Sequence, residues 1–600
     1  MALLLGLLFI LLCTDAAKAT DRDFTYSHVT LVVVPGLTYS SLIASQDPTV
    51  QSMIYHFGIA LLSPGNPHKP DAVENLYATV FAGDTANIRN PNKDLLIRTI
   101  AFSNRPASVQ IVRSATLTEA AMICEGVRER HDAVVVCGLP PVDPKSGEWD
   151  QLSVAIIAEP LGASLLRSAT TQTLGLVALR DIAPTVLHLA GFPIPPTMTG
   201  VPIYSSLWVA GGSGFGRTPS SFRILERMDT ISRLNQRTLL PTMWTYGSVS
   251  LIALLVALWS LAHGVTIAPG ALRYFIRMMM ALPLALLIAP VFNPQTLPVY
   301  GALIAGIGIA LGAIPSMGAI AALTAAVVLI DGVTGTHLVA VSALSGYWLS
   351  GIRFYGIGNE YMGVAIGSLL VVPYFMARRW PGIWKKRGAS ALLAALFAAA
   401  LFVLSYPAFG AKAGGAITAM TAFVPVWLHL TRQRALTWRV FALSALAGFA
   451  MVFVWAVVAH FTGARVTHIQ TATEHASHGD VGYIWHIALR KAKMAVLTAT
   501  VPGVLATYIG LIPAWLLWKR TPLRERVRAF LAADPVFGGI MRCAVGTSAA
   551  ALMFNDSGFV AMVFIFGSVC VTMIHEMLGT RAVVEEVDNG SGKTLAADVI

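Results

Sequence analysis

At 600 residues, 55% hydrophobic and only 12% charged, the chain lies outside the composition of an ordinary soluble protein. Its mean hydropathy of +0.66 averages a water-soluble part with something far more apolar. The formal net charge of +11 does not point to nucleic acid. Lys and Arg sit in short clusters between apolar runs, which is the pattern of cytoplasmic loops.

Met1 to Leu12 is apolar and is followed by Ala17-Lys18-Ala19, a small-x-small site of the signal-peptidase type. The run falls short of the roughly 20 residues that a spanning helix needs. The large residues Leu11 and Leu12 before Cys13 argue against a lipoprotein signal. Residues 1–19 are therefore expected to be a signal peptide or an N-terminal anchor that directs export of the domain after it.

From 20 to 236 the pattern changes to short apolar runs alternating with helical stretches. Val29 to Val34 ends in Pro35-Gly36, and Ala133 to Val136 ends in Cys137-Gly138-Leu139-Pro140. Ser153 to Ile157 and Thr173 to Val177 are two more such runs. Continuous β-branched runs with helices between them predict a mostly parallel α/β sheet covered on both faces. Cys124 and Cys137 could pair in an oxidising compartment or stand as two buried thiols beside a strand. In Gly175-Leu176-Val177-Ala178-Leu179-Arg180-Asp181-Ile182-Ala183-Pro184-Thr185, Asp181 is placed to cap a helix and Pro184 falls in its first turn.

That last segment, the first strand with its turn, and Asn75 to Gly83 together resemble the alkaline phosphatase superfamily, over about a third of the chain. The resemblance implies a metal-binding Asp at the end of the first strand, where this chain has Pro35. It implies a nucleophilic Ser or Thr near Ala72, and a later Ser-Asp-His-Gly motif where Cys137-Gly138-Leu139-Pro140 stands. A two-metal phosphoryl-transfer centre needs converging carboxylates and histidines. The domain is expected to be a catalytically silent phosphatase-like fold, with no cofactor.

After Leu240 the apolar runs parse as about eleven spans within an all-α polytopic bundle, 237–578. They begin with Thr242–Leu261 and Phe275–Phe292, then Val299–Ala313, Met317–Ile330, Tyr361–Met376, Ala391–Ser405 and Ala416–Leu430. Val440–His460, Met494–Trp518, Cys543–Phe554 and Phe559–Ile574 complete the set. Basic loops at Arg378-Arg379 with Lys385-Lys386-Arg387, at Arg432, Arg434 and Arg439, and at Lys519-Arg520 through Arg528 then fall on one side. Positive-inside makes that side cytoplasmic, with the domain 20–236 outside. The acidic stretch 579–600 is expected to be a cytoplasmic tail without regular structure. The setting implied is a bacterial plasma membrane.

The unusual polar segments all fall on the opposite side. One runs from Asp331 through His337 to Arg353, Asn359, Glu360 and Tyr361. Lys412 lies in the next, and His468, His475 and His478 lie in a third. Asn555-Asp556-Ser557-Gly558 joins the last two spans. Ionisable groups at membrane depth are costly and raise a functional hypothesis by default. Arg353 and Glu360 are seven residues apart, two turns if the segment is helical. They could pair, or Arg353 could hold a phosphate while Glu360 acts as base. Asp556 could equally cap the last span. The three histidines could share one helix face as weak candidates for zinc, or be solvated loop residues.

A degenerate phosphatase-like domain with Gly-Ile-Gly-Asn-Glu-Tyr and Asn-Asp-Ser-Gly resembles a group of bacterial multi-spanning membrane proteins. In outline the layout is also similar to ethanolamine-phosphate transferases of lipid anchors. The leading expectation is a transferase acting on a lipid-linked envelope substrate at the outer leaflet. Arg353, Glu360 and Asp556 would form its polar centre, Asn359, Tyr361, Lys412, Asn555 and His337 would bind substrate, and the exported domain would act as a lid. A flippase using the same residues and an envelope-assembly scaffold are the alternatives. Membrane lipids are the expected partners. No phosphate loop of the Gly-x-x-x-x-Gly-Lys-Ser/Thr type is present.

Overall fold

The computed structural model describes residues 25–65, 72–84, 93–101, 108–113, 115–127, 132–143, 149–159, 163–205, 219–265, 268–406, 409–410, 412–461, 489 and 512–588. The chain divides into two compact units. The first holds residues up to Arg237 together with Asn293–Gln295 and Gly346–Tyr355, and the second holds the rest.

The first unit is built on a six-stranded sheet of order β3-β1-β4-β5-β2-β7. Its strands are β1 (His28–Pro35), β2 (Gly58–Ser63), β3 (Ser108–Val112), β4 (Ala133–Leu139), β5 (Ser153–Ala158) and β7 (Leu176–Ala178). Only β5 runs antiparallel to its neighbours; the other pairs are parallel. Every residue of β2, β4 and β5 is buried, as expected of a sheet covered on both faces. A small antiparallel pair, β6 (Leu166–Ser168) with β8 (Ile203–Ser205), stands apart. The helices are α1 (Tyr39–Ile43), α2 (Pro48–His56), α3 (Ala72–Ala82), α4 (Leu95–Ala101), α5 (Leu117–Glu125) and α6 (Ile182–Leu189).

Several expectations change here. The run from Thr173 becomes a strand only at Leu176, because Gly175, at φ +81°, still turns the chain. The strands β2, β3, β6 and β8 are additions to those expected. Asp181 does not cap α6 with its side chain. Its buried carboxylate instead accepts from Ser168 Oγ (2.7 Å), Thr170 Oγ1 (2.5 Å), Ala178 N (3.1 Å) and Val201 N (3.1 Å). It thereby closes the turn before α6 and ties in the chain after it. Cys124 and Cys137 are two free buried thiols, and burial pushes Cys124 up to about 12.

A further buried carboxyl makes this unit sensitive to pH. Glu159, just after β5, accepts from Tyr26 Oη at 3.2 Å, and burial raises it to about 7. The folded state therefore holds this proton over a window in which the unfolded chain, at 4.5, has released it. The unfolded state binds fewer protons there, so stability falls as pH rises from 4.5 to about 7 and is flat above. We expect the protection of β5 amides in the full chain, their exchange rate relative to an unstructured peptide at the same pH, to fall across that range, and the Glu159→Gln variant to lose the dependence.

The second unit is helical. Helix α7 (Pro219–His263) crosses the division of the chain, with Pro241 inside it. Then come α8 (Pro269–Ile288), α9 (Leu297–Gly312), α10 (Met317–Thr334), the short α11 (His337–Val341), α12 (Asn359–Arg379) and α13 (Arg387–Ser405). The rest are α14 (Ala413–Arg432), α15 (Trp438–Phe461), α16 (Leu523–Ala533), α17 (Pro535–Phe554) and α18 (Gly558–Asp588). Eight helices among the described residues are long and apolar enough to cross a membrane, as a multi-pass membrane protein requires. Two of the expected spans are shorter apolar stretches, Ser248–His263 and Leu297–Gly312. The first is the end of the long α7 and not a separate helix. Most of the span expected at Met494–Trp518 lies outside the described residues, as does the signal segment 1–19. Helix α18 runs to Asp588, so the stretch from 579 begins helical instead of without regular structure.

Helix α12 is the innermost: 78% of its spanning window is buried, more than in any of the other seven. Every residue from Asn359 to Val371 is buried. Two glycines make this possible. A Cβ on Gly363 would lie 2.8 Å from the Ala561 carbonyl oxygen of α18, and one on Gly367 would lie 2.9 Å from that of Phe564. The spacing is the small-xxx-small pattern that lets membrane helices touch backbone to backbone. We expect Gly363→Ala to lower the melting temperature in detergent, at a cost of about 1–3 kcal/mol for forcing the helices apart. Gly301→Ala on α9, where a Cβ meets nothing within 4 Å, should leave it unchanged or raise it.

Candidate functional site

The start of α12 gathers the polar groups of the bundle. Gly358 precedes the helix in extended conformation and offers no side-chain cap. Asn359, Glu360 and Tyr361 come next at 4%, 6% and 0% exposure, which puts a carboxyl and an amide inside the bundle. The helix N-terminus stabilises a carboxylate in its first turn, which favours Glu360 at this place.

Neighbouring elements hold the layer in position. Tyr361 Oη donates to the Pro283 carbonyl of α8 at 3.0 Å, so Ser342 Oγ, 2.6 Å away, donates to Tyr361. Asp331, buried near the end of α10, accepts from Leu338 N (2.8 Å) and Val339 N (2.9 Å) and so caps α11. The sharp turn between them uses Gly335 at φ +110° and Thr336 at φ +59°. Thr336 Oγ1 accepts from Gly356 N at 3.2 Å, linking this turn to the approach of α12. On another side, Ile357 N donates to Gly410 O at 3.2 Å.

The start of α14 and the end of α17 close the layer. Asn555, 4% exposed, donates from Nδ2 to Thr418 Oγ1 (2.9 Å) and to Ala551 O (3.0 Å). Both amide hydrogens are then used, and the oxygen faces Gly414, whose added Cβ would lie 2.5 Å from it. The adjacent Gly415 approaches Met362 of α12. Asn359, three residues before Met362, lies on the same helical face. Among the described residues, Asn359 Oδ1 and Asn555 Oδ1 are both buried without a hydrogen-bond partner. A buried amide oxygen left unpartnered costs about 1–3 kcal/mol, so two in one layer ask for an explanation.

The expected site residues differ in burial and in the unit that holds them. Asn359, Glu360, Tyr361 and Asn555 are enclosed in the second unit, with Lys412 half-buried just before α14. Asp556 and His337 are exposed. In the pair Asn555-Asp556 it is the amide, not the acid, that turns inward. Arg353 belongs to the first unit, in the segment Gly346–Tyr355, and lies over the Tyr347 ring at 5.6 Å. That segment is held by Ser63 Oγ donating to Trp348 O at 2.5 Å and by Gly351, at φ +64°, close against Gly65. No helix joins Arg353 to Glu360, since α12 starts at Asn359, so the two-turn spacing does not arise. The histidines His468, His475 and His478 lie outside the described residues. Among the described residues no three His, Cys, Asp or Glu side chains are placed to hold a metal ion.

A second polar group is not apparent from the sequence. At the other end of α12, Arg378 pairs with Glu576 of α18. The Glu576 carboxylate also meets His575 Nδ1 at 3.0 Å. Tyr374 Oη donates to Asp534 Oδ2 at 3.0 Å, and Asp534 Oδ1 caps α17 by accepting from Phe537 N at 2.9 Å. In the sequence Arg378 stands out only as part of a basic loop; its partner lies far away along the chain.

Comparison of the chain with protein-family models, with curated proteins and with solved structures gives no match. What the protein does must be argued from these residues.

The Asp331 cap allows a direct check. Asp331→Ala removes the acceptor of two backbone N–H groups and should cost about 1–2 kcal/mol locally. Amide exchange at Leu338 and Val339 should rise in this variant, while that of α17 stays as it was.

Proposed function

We propose that the protein is a membrane transferase acting on a lipid-linked substrate, and that its site is the polar layer at the start of α12. The observation that carries this proposal is the chemistry of the enclosed groups. Among the described residues, Asn359 and Asn555 each present a buried amide oxygen without a donor, and the buried Glu360 follows the first of them in the opening turn of α12. These are all acceptors, so the complementary substrate group is rich in donors, as the hydroxyl-bearing head of a lipid-linked sugar or polyol is. A carboxylate against a hydroxyl is also a general base: Glu360 takes the proton as the hydroxyl oxygen attacks the group being transferred from a second, donor lipid, and the bond from that group to the donor's oxygen breaks with its electron pair leaving on the donor. The basic loops cluster at the other ends of these helices, which supports placing the site toward the outer leaflet of a bacterial plasma membrane. Arg353 and Asp556, which the sequence suggested as catalytic partners, are not needed in this form of the mechanism.

Translocation of the same headgroup would use the same acceptors without proton transfer, and Glu360→Gln separates the two. Cells lacking the protein should accumulate an unmodified lipid-linked acceptor, seen by mass spectrometry of extracted lipids. We expect wild type to clear it, and Glu360→Gln and Glu360→Ala to fail although both reach the membrane. Asn359→Ala and Asn555→Ala should slow clearance by about tenfold, the value of one lost hydrogen bond of ~1.4 kcal/mol. Partial function in Glu360→Gln would favour translocation, and full function in Glu360→Ala would exclude both.

A further inference from the structure

The end of the bundle where α12 finishes carries a second site of opposite character. Three guanidinium groups surround one turn of α18. Arg378 reaches it from the last turn of α12 and pairs with Glu576. Arg273, in the first turns of α8, lies over Gly579, where an added Cβ would stand 3.1 Å from the guanidinium carbon. Arg277, one turn further along α8, donates from Nε to the Gly312 carbonyl at 2.9 Å. All three act electrostatically on His575, and Arg273 acts on Arg277 and is acted on by Arg378.

Among the described residues the charges do not balance. Glu576 is the one carboxylate here with a described contact to the group, and it already serves Arg378 and His575 Nδ1. Among the described residues, Arg273 Nε is buried without a partner. Three like charges on the rim of an apolar bundle repel one another in a medium that screens them poorly. A phosphate answers each of these features. It brings negative charge, and it accepts several N–H bonds at once from guanidinium groups. Arg378 is 44% exposed, so the group is open on one side.

We propose that Arg273, Arg277 and Arg378 form a binding site for a phosphate-bearing anion at this end of the bundle. The site is separate from the acceptor-rich layer at the start of α12 and does not rest on the function assigned to that layer. Its chemistry fits the phosphodiester of an anionic lipid or a soluble phosphate.

The test uses the full-length protein in nanodiscs. One arm compares phosphatidylcholine alone with phosphatidylcholine plus phosphatidylglycerol. The other arm titrates inorganic phosphate into phosphatidylcholine discs. The readouts are melting temperature and, by native mass spectrometry, the number of anionic lipids retained. We expect saturable stabilisation in one arm, weakened about tenfold or more in Arg273→Gln and Arg277→Gln and largely kept in Arg273→Lys. Arg434→Gln, an exposed arginine outside the group, should behave as wild type. Saturation with phosphatidylglycerol identifies a lipid headgroup, and saturation with inorganic phosphate identifies a soluble ligand. No stabilisation in either arm, or stabilisation that Arg273→Gln and Arg277→Gln leave intact, overturns the proposal. Retention of the wild-type elution volume distinguishes lost binding from misfolding, and Arg273→Lys restores charge if Arg273→Gln fails to fold.

Discussion

The close approach of α12 to α18 is the contact on which the rest of the bundle depends. Without side chains at Gly363 and Gly367, the two backbones touch, and α12 sinks to the centre with thirteen successive residues buried from Asn359 to Val371. In a membrane there is no hydrophobic drive between helices, so such packing is what holds them together. The same burial carries Asn359 and Glu360 away from water at one end of α12 and leads Arg378 to Glu576 at the other. Both polar groups of the bundle are therefore consequences of one helix–helix contact.

Those two ends differ in kind. At the start of α12 the unpartnered atoms are amide oxygens, which call for a donor. At its finish the excess groups are guanidinium cations, which call for an anion. A scattered set of structural polar residues would have no reason to sort by chemistry in this way. The cost of enclosing them is substantial, since buried polar groups without partners are destabilising, and a bundle made only to span the membrane has no use for them.

Much of the layout is legible in the sequence because hydropathy is a strong signal. Continuous β-branched runs mark β1, β4 and β5, and the apolar runs mark the helices of the second unit. The strand β2 escapes such a reading because Gly-Ile-Ala-Leu-Leu-Ser is poor in β-branched residues and reads equally well as part of a helix. The strand β3 is short and only half-buried, with little apolar character to mark it. Helix α12 gives no sign of being central, since a helix buried on every side shows no apolar stripe.

At the site, local sequence marks the polar segments and does not say which of their residues are enclosed. Gly-Ile-Gly-Asn-Glu-Tyr stands out as unusual, and the fold divides it from the nearby Arg353, which belongs to the other compact unit. The segment Gly346–Tyr355 packs instead with the sheet domain, through Ser63 and Gly65. Asn555 and Asp556 are adjacent, and nothing local says which one turns inward; the pairing of Asn555 with Thr418, 137 positions away, decides it. The arginine group around His575 depends on three helices and could not be read from any one of them.

The central claim is that Asn359 and Asn555 keep their amide oxygens for a bound headgroup. Cryo-electron microscopy of the full chain in nanodiscs made from its native lipids tests it most directly. The account predicts density for a hydroxyl-bearing headgroup within hydrogen-bond distance of both oxygens and beside Glu360. Finding both oxygens satisfied by protein donors, in a dry helix contact with no room for a ligand, would contradict it.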